Sequence, residues 1–144
     1  MSRIAREKIM QKIKLLGEYI TYLKKLARET SGREEEFISD FHFFGLAERY
    51  LQLAIQALMD AVKIVIIETG GEKPEDNQEA ISILYNQKII SEELAARLDG
   101  IVGFRNILVH EYGKINRRLV FRYLQKNVKD LEDFRKNIIK FLSK

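Results

Sequence analysis

The side chains most capable of chemistry lie in one short segment, RNILVHEY. It holds an arginine, an asparagine, a histidine and a tyrosine, at Arg105, Asn106, His110 and Tyr112. A histidine can exchange a proton near neutral pH, and an arginine can bind the phosphate oxygens that gain charge in a transition state. These residue types therefore predict cleavage of an RNA phosphodiester, with the ribose 2′-OH as the nucleophile and without a metal ion.

The spacing of these four residues limits how they can meet on a helix. At about 100° per residue, Arg105 and Tyr112 lie almost in line, and Asn106 and His110 are neighbours on one face. Arg105 and His110, however, point about 140° apart on an ideal helix. Three arrangements remain open: the long arginine swings round, the helix is distorted near its end, or the same residues of a second subunit complete the site. The third arrangement fits a helical bundle best.

Simpler explanations of the same segment also remain open. Arg105 could form a surface ion pair, Asn106 and His110 could hydrogen-bond to each other, and Tyr112 could lie along the surface at the helix end. Two other functional classes also fit the segment. One is a non-catalytic module that binds a nucleotide or a nucleotidyltransferase, and the other is a purely structural dimer.

The composition excludes several other kinds of site. The 144 residues include no cysteine, so disulfides, thiolate zinc sites and cysteine nucleophiles are excluded. A di-iron or di-manganese bundle site needs Glu-x-x-His pairs, but Ser39 and Ile107 stand three residues before His42 and His110. The glycine pair at 70–71 lacks the Lys-Ser/Thr of a phosphate-binding loop. We expect no metal and no cofactor, and we expect His42, among phenylalanines, to be packed or exposed rather than catalytic.

Charge divides the chain into two unequal parts. Residues 1–104 carry 14 basic and 17 acidic side chains, whereas residues 105–144 carry 11 basic and 4 acidic ones. The net charges are therefore −3 and +7, which give the overall +4. A positive segment of this kind suits a polyanion such as nucleic acid, although a solvated helix face would give the same count.

Apolar residues recur at steps of three and four along nearly the whole chain, which predicts helices. The first helix, with its apolar stripe over 9–27, should stop at residues 30–32. The second should follow an aromatic segment, carry its stripe over 51–65 and end where the glycine-rich stretch 70–78 begins. That stretch contains the only proline and is predicted to be a loop.

Three further helices are expected after this loop. One ends near Gln87, one is capped by Ser91 and runs to about Tyr112 before Gly113 stops it, and the last begins at Asn116. Short connections between helices of unequal length favour antiparallel neighbours. We therefore predict an all-α fold, an antiparallel up-and-down bundle of four long helices with one or two short ones.

The length suits a single domain over residues 1–144. The first residues carry a charge every few positions and have no apolar core, which argues against a secretory signal. The most apolar run, residues 64–67, is far shorter than the roughly 20 residues that cross a bilayer. We therefore expect a cytoplasmic protein with no membrane association.

The segment RNILVHEY resembles the RxxxxHxY motif of the HepT-like toxins, a branch of the HEPN superfamily. Longer stretches are also similar to corresponding parts of that family: AERYLQLAIQALMD (47–60), ILYNQKIIS (83–91) and GFRNILVHEYGKI (103–115). The resemblance covers most of the chain, and the motif with its flanking Phe104 and Gly113 is more specific than RxxxxH alone.

This resemblance implies a helical-bundle, metal-independent endoribonuclease that acts as a homodimer, with motif residues of both subunits lining a cleft at the interface. The catalytic roles would fall on Arg105 and His110, with Asn106 as an orienting neighbour. The implied partner is an MntA-like nucleotidyltransferase antitoxin that transfers AMP to Tyr112, which adds negative charge where RNA phosphates would bind. The sequence departs from the family at Gln52 and Gln56, because many relatives carry an acidic residue at such helix positions.

Overall fold

Helices make up nearly all of the described structure, as the apolar periodicity predicts. The computed structural model describes residues 1–110 and 116–144, apart from the side chains at 109 and 110. No β-strand occurs within those ranges, and the all-α prediction is confirmed. In chain order the helices there are α1 (Arg3–Thr30), α2 (Glu34–Ser39), α3 (Phe41–Glu68), α4 (Asn77–Asn86), α5 (Glu92–His110), α6 (Arg117–Lys126) and α7 (Val128–Leu142).

The two longest helices, α1 and α3, form the centre of the bundle. Each runs for 28 residues, and they pack against each other along their length. Helix α7 also packs on α1, while α5 lies against α3, α4 and α7. The predicted apolar stripes face inward and join one continuous core. Full burial of each isoleucine or leucine in these stripes stabilises the fold by about 1.5–3 kcal/mol.

Two of the predicted helix ends depend on glycines with left-handed backbone. Gly32 has φ +72° just after α1, and Gly70 has φ +83° just after α3. Glycine adopts this conformation without the steric cost that a Cβ brings. The turn after α3 lets the Gly71 N–H donate to the Ile66 carbonyl at 2.8 Å, which satisfies one of the last carbonyls of the helix.

Polar side chains begin the helices where the sequence predicts them. The Ser91 hydroxyl accepts a hydrogen bond from the Leu94 N–H at 3.1 Å, and the Asn116 side chain accepts from two backbone N–H groups of α6. Asp76 caps α4, so this helix begins at Asn77, inside the stretch expected to be loop. These caps satisfy N–H groups that have no partner within the helix itself.

The single final helix predicted from Asn116 is instead two helices. They are separated at Asn127, whose φ of −112° departs from helical geometry. Its side-chain amide donates to the Asp130 carboxylate at 3.1 Å. Asparagine has a low helix propensity, which favours a break at this position.

The aromatic segment before the second long helix is also divided. Phe37 is buried in the short helix α2, whereas Phe41 begins α3. Asp40 lies between them with an extended backbone, and its carboxylate accepts from the His42 N–H at 2.9 Å. The aspartate therefore ends one helix and caps the next.

Helix α3 is the one helix in the described ranges that is long and apolar enough to cross a bilayer. More than half of its most apolar stretch is buried inside the molecule, as in the core helix of a bundle. The sequence expectation, which considered residues 64–67 alone, underestimated the apolar length of this helix.

Candidate active site

Arg105 lies near the end of α5, on the side of that helix that faces α3. Its side chain is half-buried, and Nη2 donates a hydrogen bond to the Oε1 atom of Gln56 on α3. The Arg105 Nε is buried and has no hydrogen-bond partner among the described residues. The guanidinium is therefore held from one side while its remaining N–H groups are not used within the described ranges.

Gln56 connects this arginine to a charged pair further along the bundle. Its Nε2 donates to Asp60 Oδ1 at 2.8 Å, and Asp60 Oδ2 lies 3.3 Å from the ammonium group of Lys12 on α1. Asp60 is thus paired with Lys12 rather than with the arginine. Among the described residues, no carboxylate lies within ion-pair distance of Arg105. The neutral amide of Gln56 positions the guanidinium without cancelling its charge.

Asn106 faces a different part of the molecule from Arg105. It is exposed and lines a cavity of about 300 Å³ together with Val102 of α5 and residues 76–78 at the start of α4. Consecutive helix residues point about 100° apart, which explains why the two side chains diverge. The structure therefore does not bring Arg105 and Asn106 to one point within a single subunit.

The other two motif residues are described in part or not at all. His110 is the last residue of α5, but its side chain lies outside the described part of the structure. Tyr112 and the predicted helix stop at Gly113 also lie outside the described residues. How His110 is placed relative to Arg105 and Asn106 stays a prediction.

Helix α3 presents a row of polar residues at intervals of four: Glu48, Gln52, Gln56 and Asp60. All four are half-buried. Burial raises the pKa of the Glu48 carboxyl above its ordinary value, and the nearby positive charge of Arg117 partly opposes this rise. The sequence analysis singled out only the two glutamines, although the four-residue spacing was the signal for the whole row.

The basic excess after residue 104 is partly neutralised by other helices. Arg118 lies 2.9 Å from Glu35 and 3.6 Å from Glu34, both on α2. The hydrogen bond from Arg118 is the main cause that holds the pKa of Glu35 below its ordinary value. Arg117 stacks 3.8 Å from the ring centroid of Phe44 and donates to the Ile38 carbonyl. These arginines join α6 to α2 and α3, so only part of the charge remains for a polyanion.

His42 is exposed, with its ring 4.2 Å from that of Phe41, as the sequence analysis expected. Among the described side chains, those of residues 1–108 and 116–144, no three His, Asp or Glu residues come together in a group that could hold a metal ion.

Comparison with known proteins gives consistent matches over most of the chain. A family model described as "Ribonuclease HepT-like" matches residues 16–138. The tRNA nuclease HepT of Aphanizomenon flos-aquae is 32% identical over 121 residues, which cover 84% of this chain and 80% of that protein. The mRNA nuclease HepT of Shewanella oneidensis is 26% identical over 110 residues, which cover 76% and 83%.

A solved structure shares the fold. It is the tri-AMPylated HEPN toxin of Shewanella oneidensis in complex with an MNT antitoxin, and its TM-score is 0.81. The alignment covers 97% of this chain and 99% of that one at 24% sequence identity.

Proposed function

The chain belongs to the ribonuclease HepT-like family, and from this membership we propose that it is the toxin of a toxin–antitoxin pair, a metal-independent endoribonuclease acting in the cytoplasm. The observation that carries the proposal is the arrangement of Arg105, which is held by the neutral Gln56 and has no carboxylate partner among the described residues. A guanidinium that keeps its full charge suits the non-bridging oxygens of a phosphodiester.

In the proposed reaction the ribose 2′-oxygen attacks the adjacent phosphorus, and the bond from phosphorus to the 5′-oxygen breaks. The products are a 2′,3′-cyclic phosphate and a 5′-hydroxyl. His110 removes the proton from the 2′-OH or delivers one to the leaving oxygen, while Arg105 stabilises the charge on the phosphate. Asn106 orients His110 from the neighbouring position on the helix.

A homodimer provides a way to bring these groups together. Arg105 and Asn106 diverge within one subunit, and an ideal helix separates Arg105 from His110 by about 140°. If α5 of two subunits meets across a two-fold axis, the arginine of one subunit can lie opposite the histidine of the other.

We also propose an MntA-like nucleotidyltransferase as the antitoxin, which would transfer AMP to Tyr112. The solved tri-AMPylated HEPN toxin bound to an MNT antitoxin supports such a pair. Attached phosphates would repel the RNA backbone close to Arg105. With antitoxin and ATP present, we expect the peptide containing Tyr112 to gain mass in units of AMP and the same peptide of Tyr112→Phe to stay unchanged. An unchanged wild-type peptide would remove this part of the proposal.

Substitution of the two motif residues tests the proposed activity. We expect purified wild-type protein to cleave single-stranded RNA in the presence of a chelator and to leave cyclic phosphate ends. Arg105→Ala and His110→Ala should each lower the cleavage rate by about a hundredfold or more. Arg122→Ala, which removes an exposed arginine of α6, is the matched control and should retain cleavage.

The alternative function is a non-catalytic module that binds a nucleotide or a nucleotidyltransferase through the same segment. In that case ligand titration should give binding while RNA stays intact with every variant. Normal cleavage by both folded alanine variants would instead refute the roles of Arg105 and His110.

A further inference from the structure

A basic groove lies at the other end of α5 from Arg105. It is formed by the turn between α4 and α5 and by the last turns of α7, and its volume is about 570 Å³. Three lysines, Lys88, Lys140 and Lys144, line it, and its lining residues include no acidic side chain. All three lysines are exposed, and none lies in an ion pair among the described residues. The acidic residues nearest in sequence, Glu92 and Glu93, are exposed in the first turn of α5 and are not part of the lining.

Lys88 stands where a helix end favours glycine. Its φ is +62°, and it is the one residue other than glycine with positive φ in the described ranges. The Ile89 N–H donates back to the Leu84 carbonyl at 3.0 Å. Gly71 and Ile66 make the same bond at the end of α3, where Gly70 has the left-handed backbone. The left-handed backbone is strained for lysine, which has a Cβ, but not for glycine. Strain of this kind indicates that the lysine side chain has a function.

The rest of the lining suits a nucleotide better than a simple anion. Tyr85 and Phe141 are partly exposed aromatic residues that line the same groove as the lysines, and Asn137 lies beside them. A basic groove with aromatic surfaces on which bases can stack is the usual means of binding single-stranded nucleic acid without sequence preference. The volume lies within the range of small-ligand pockets, so at least one nucleotide fits.

We propose that this groove is an accessory binding site for single-stranded RNA, in which the lysines contact phosphates and an aromatic ring stacks on a base. The proposal rests on the proposed function, since it assumes that RNA is the substrate. The rise of an α-helix places Ser91, at the edge of the groove, about 21 Å from Arg105. The groove would therefore bind a part of the RNA away from the scissile phosphate.

The test measures binding of a 2′-O-methyl single-stranded RNA about 12 nucleotides long, which the wild-type protein cannot cleave by 2′-OH attack. Lys88→Gly removes a charge and relieves the left-handed strain, so this variant should be at least as stable as the wild type. The double variant Lys88→Gly/Lys140→Gln should bind more weakly, with a slope of log affinity against log salt lower by about 1.4. The control Lys25→Gln/Lys129→Gln removes two exposed lysines outside the groove and should change the slope less.

The possible results separate this proposal from the function on which it rests. Weaker binding and a lower slope in a double variant whose melting temperature is no lower than that of the wild type would support RNA binding in the groove. If the double variant has unchanged affinity and slope while the wild-type protein binds and cleaves RNA, the groove is not an RNA-binding site. The proposed function would remain intact. A wild-type protein that neither binds nor cleaves any RNA would overturn both.

Discussion

In the proposed site, the neutral Gln56 holds the charged Arg105 through a hydrogen bond. An acidic residue at position 56 would form an ion pair with the guanidinium and weaken its attraction for phosphate. The amide instead gives a hydrogen-bond acceptor to Arg105 and a donor to Asp60, whose charge is paired with Lys12. The neutral amide at position 56 therefore holds the guanidinium without reducing its charge.

Two substitutions at Gln56 separate positioning from charge. Gln56→Leu removes the acceptor, so we expect kcat for RNA cleavage to fall about tenfold, the effect of losing one hydrogen bond to a charged group. Gln56→Glu keeps a hydrogen-bond acceptor but adds a negative charge that weakens RNA binding. We therefore expect KM to rise, and kcat to fall less than in Gln56→Leu. Gln52→Leu, one turn away on the same face, is the control. Steady-state kinetics give both constants, and equal effects of Gln56→Leu and Gln52→Leu would contradict the positioning role.

Some helices and helix ends could be predicted from the sequence, and others could not. Stripes over 9–27 and 51–65 and the stops at residues 30–32 and 70–71 are local patterns, and the structure agrees with them. The break at Asn127 was missed because the apolar spacing continues across it. The turn at Lys88 was also missed, since the left-handed backbone of a lysine has no signal in composition.

Glu48 lies where α3 faces α6, and the burial of its charged carboxyl lowers the stability of the folded protein. The pKa of Glu48 is raised by burial, so its charged form is disfavoured in the folded protein. Glu48→Gln should therefore increase the free energy of unfolding at pH 7, by less than about 1 kcal/mol because the group is only half-buried. The gain should disappear as the pH falls below the ordinary glutamate value of 4.5, where the folded and the unfolded states both bind the proton.

Urea unfolding at pH 7 and at about pH 4 measures this effect. The control Glu18→Gln changes an exposed glutamate of α1 and should have little effect at either pH. A gain from Glu48→Gln of the same size at both pH values would show that the carboxyl charge is not its cause.

The fold class of the molecule could be predicted from the sequence more completely than the arrangement of the candidate site. The all-α bundle follows from periodicity alone, and the core formed by the stripes is continuous. The contact of Arg105 with Gln56 joins residues 49 apart in sequence, so no local pattern could predict it. The relation of Arg105 to His110 depends on a second subunit in the proposed cleft, which a single chain does not contain.

The positive charge available on the surface of the folded molecule is smaller than the charge counted from the sequence. The +7 of residues 105–144 includes Arg118, which is paired with α2. Exposed lysines such as Lys140 lie elsewhere on the bundle, at the groove beyond the far end of α5. If both proposals hold, the catalytic cleft and the basic groove bind separate parts of one RNA strand.

In the proposed dimer, Arg105 of one subunit and His110 of its partner form one RNA-cleaving site. The most direct test mixes Arg105→Ala and His110→Ala subunits, each inactive alone, and measures RNA cleavage after native mass spectrometry has confirmed mixed dimers. Each mixed dimer retains one arginine and one histidine on opposite subunits, so we expect cleavage to return in proportion to the mixed dimers. Mixed dimers that form and remain as inactive as the single variants would contradict it.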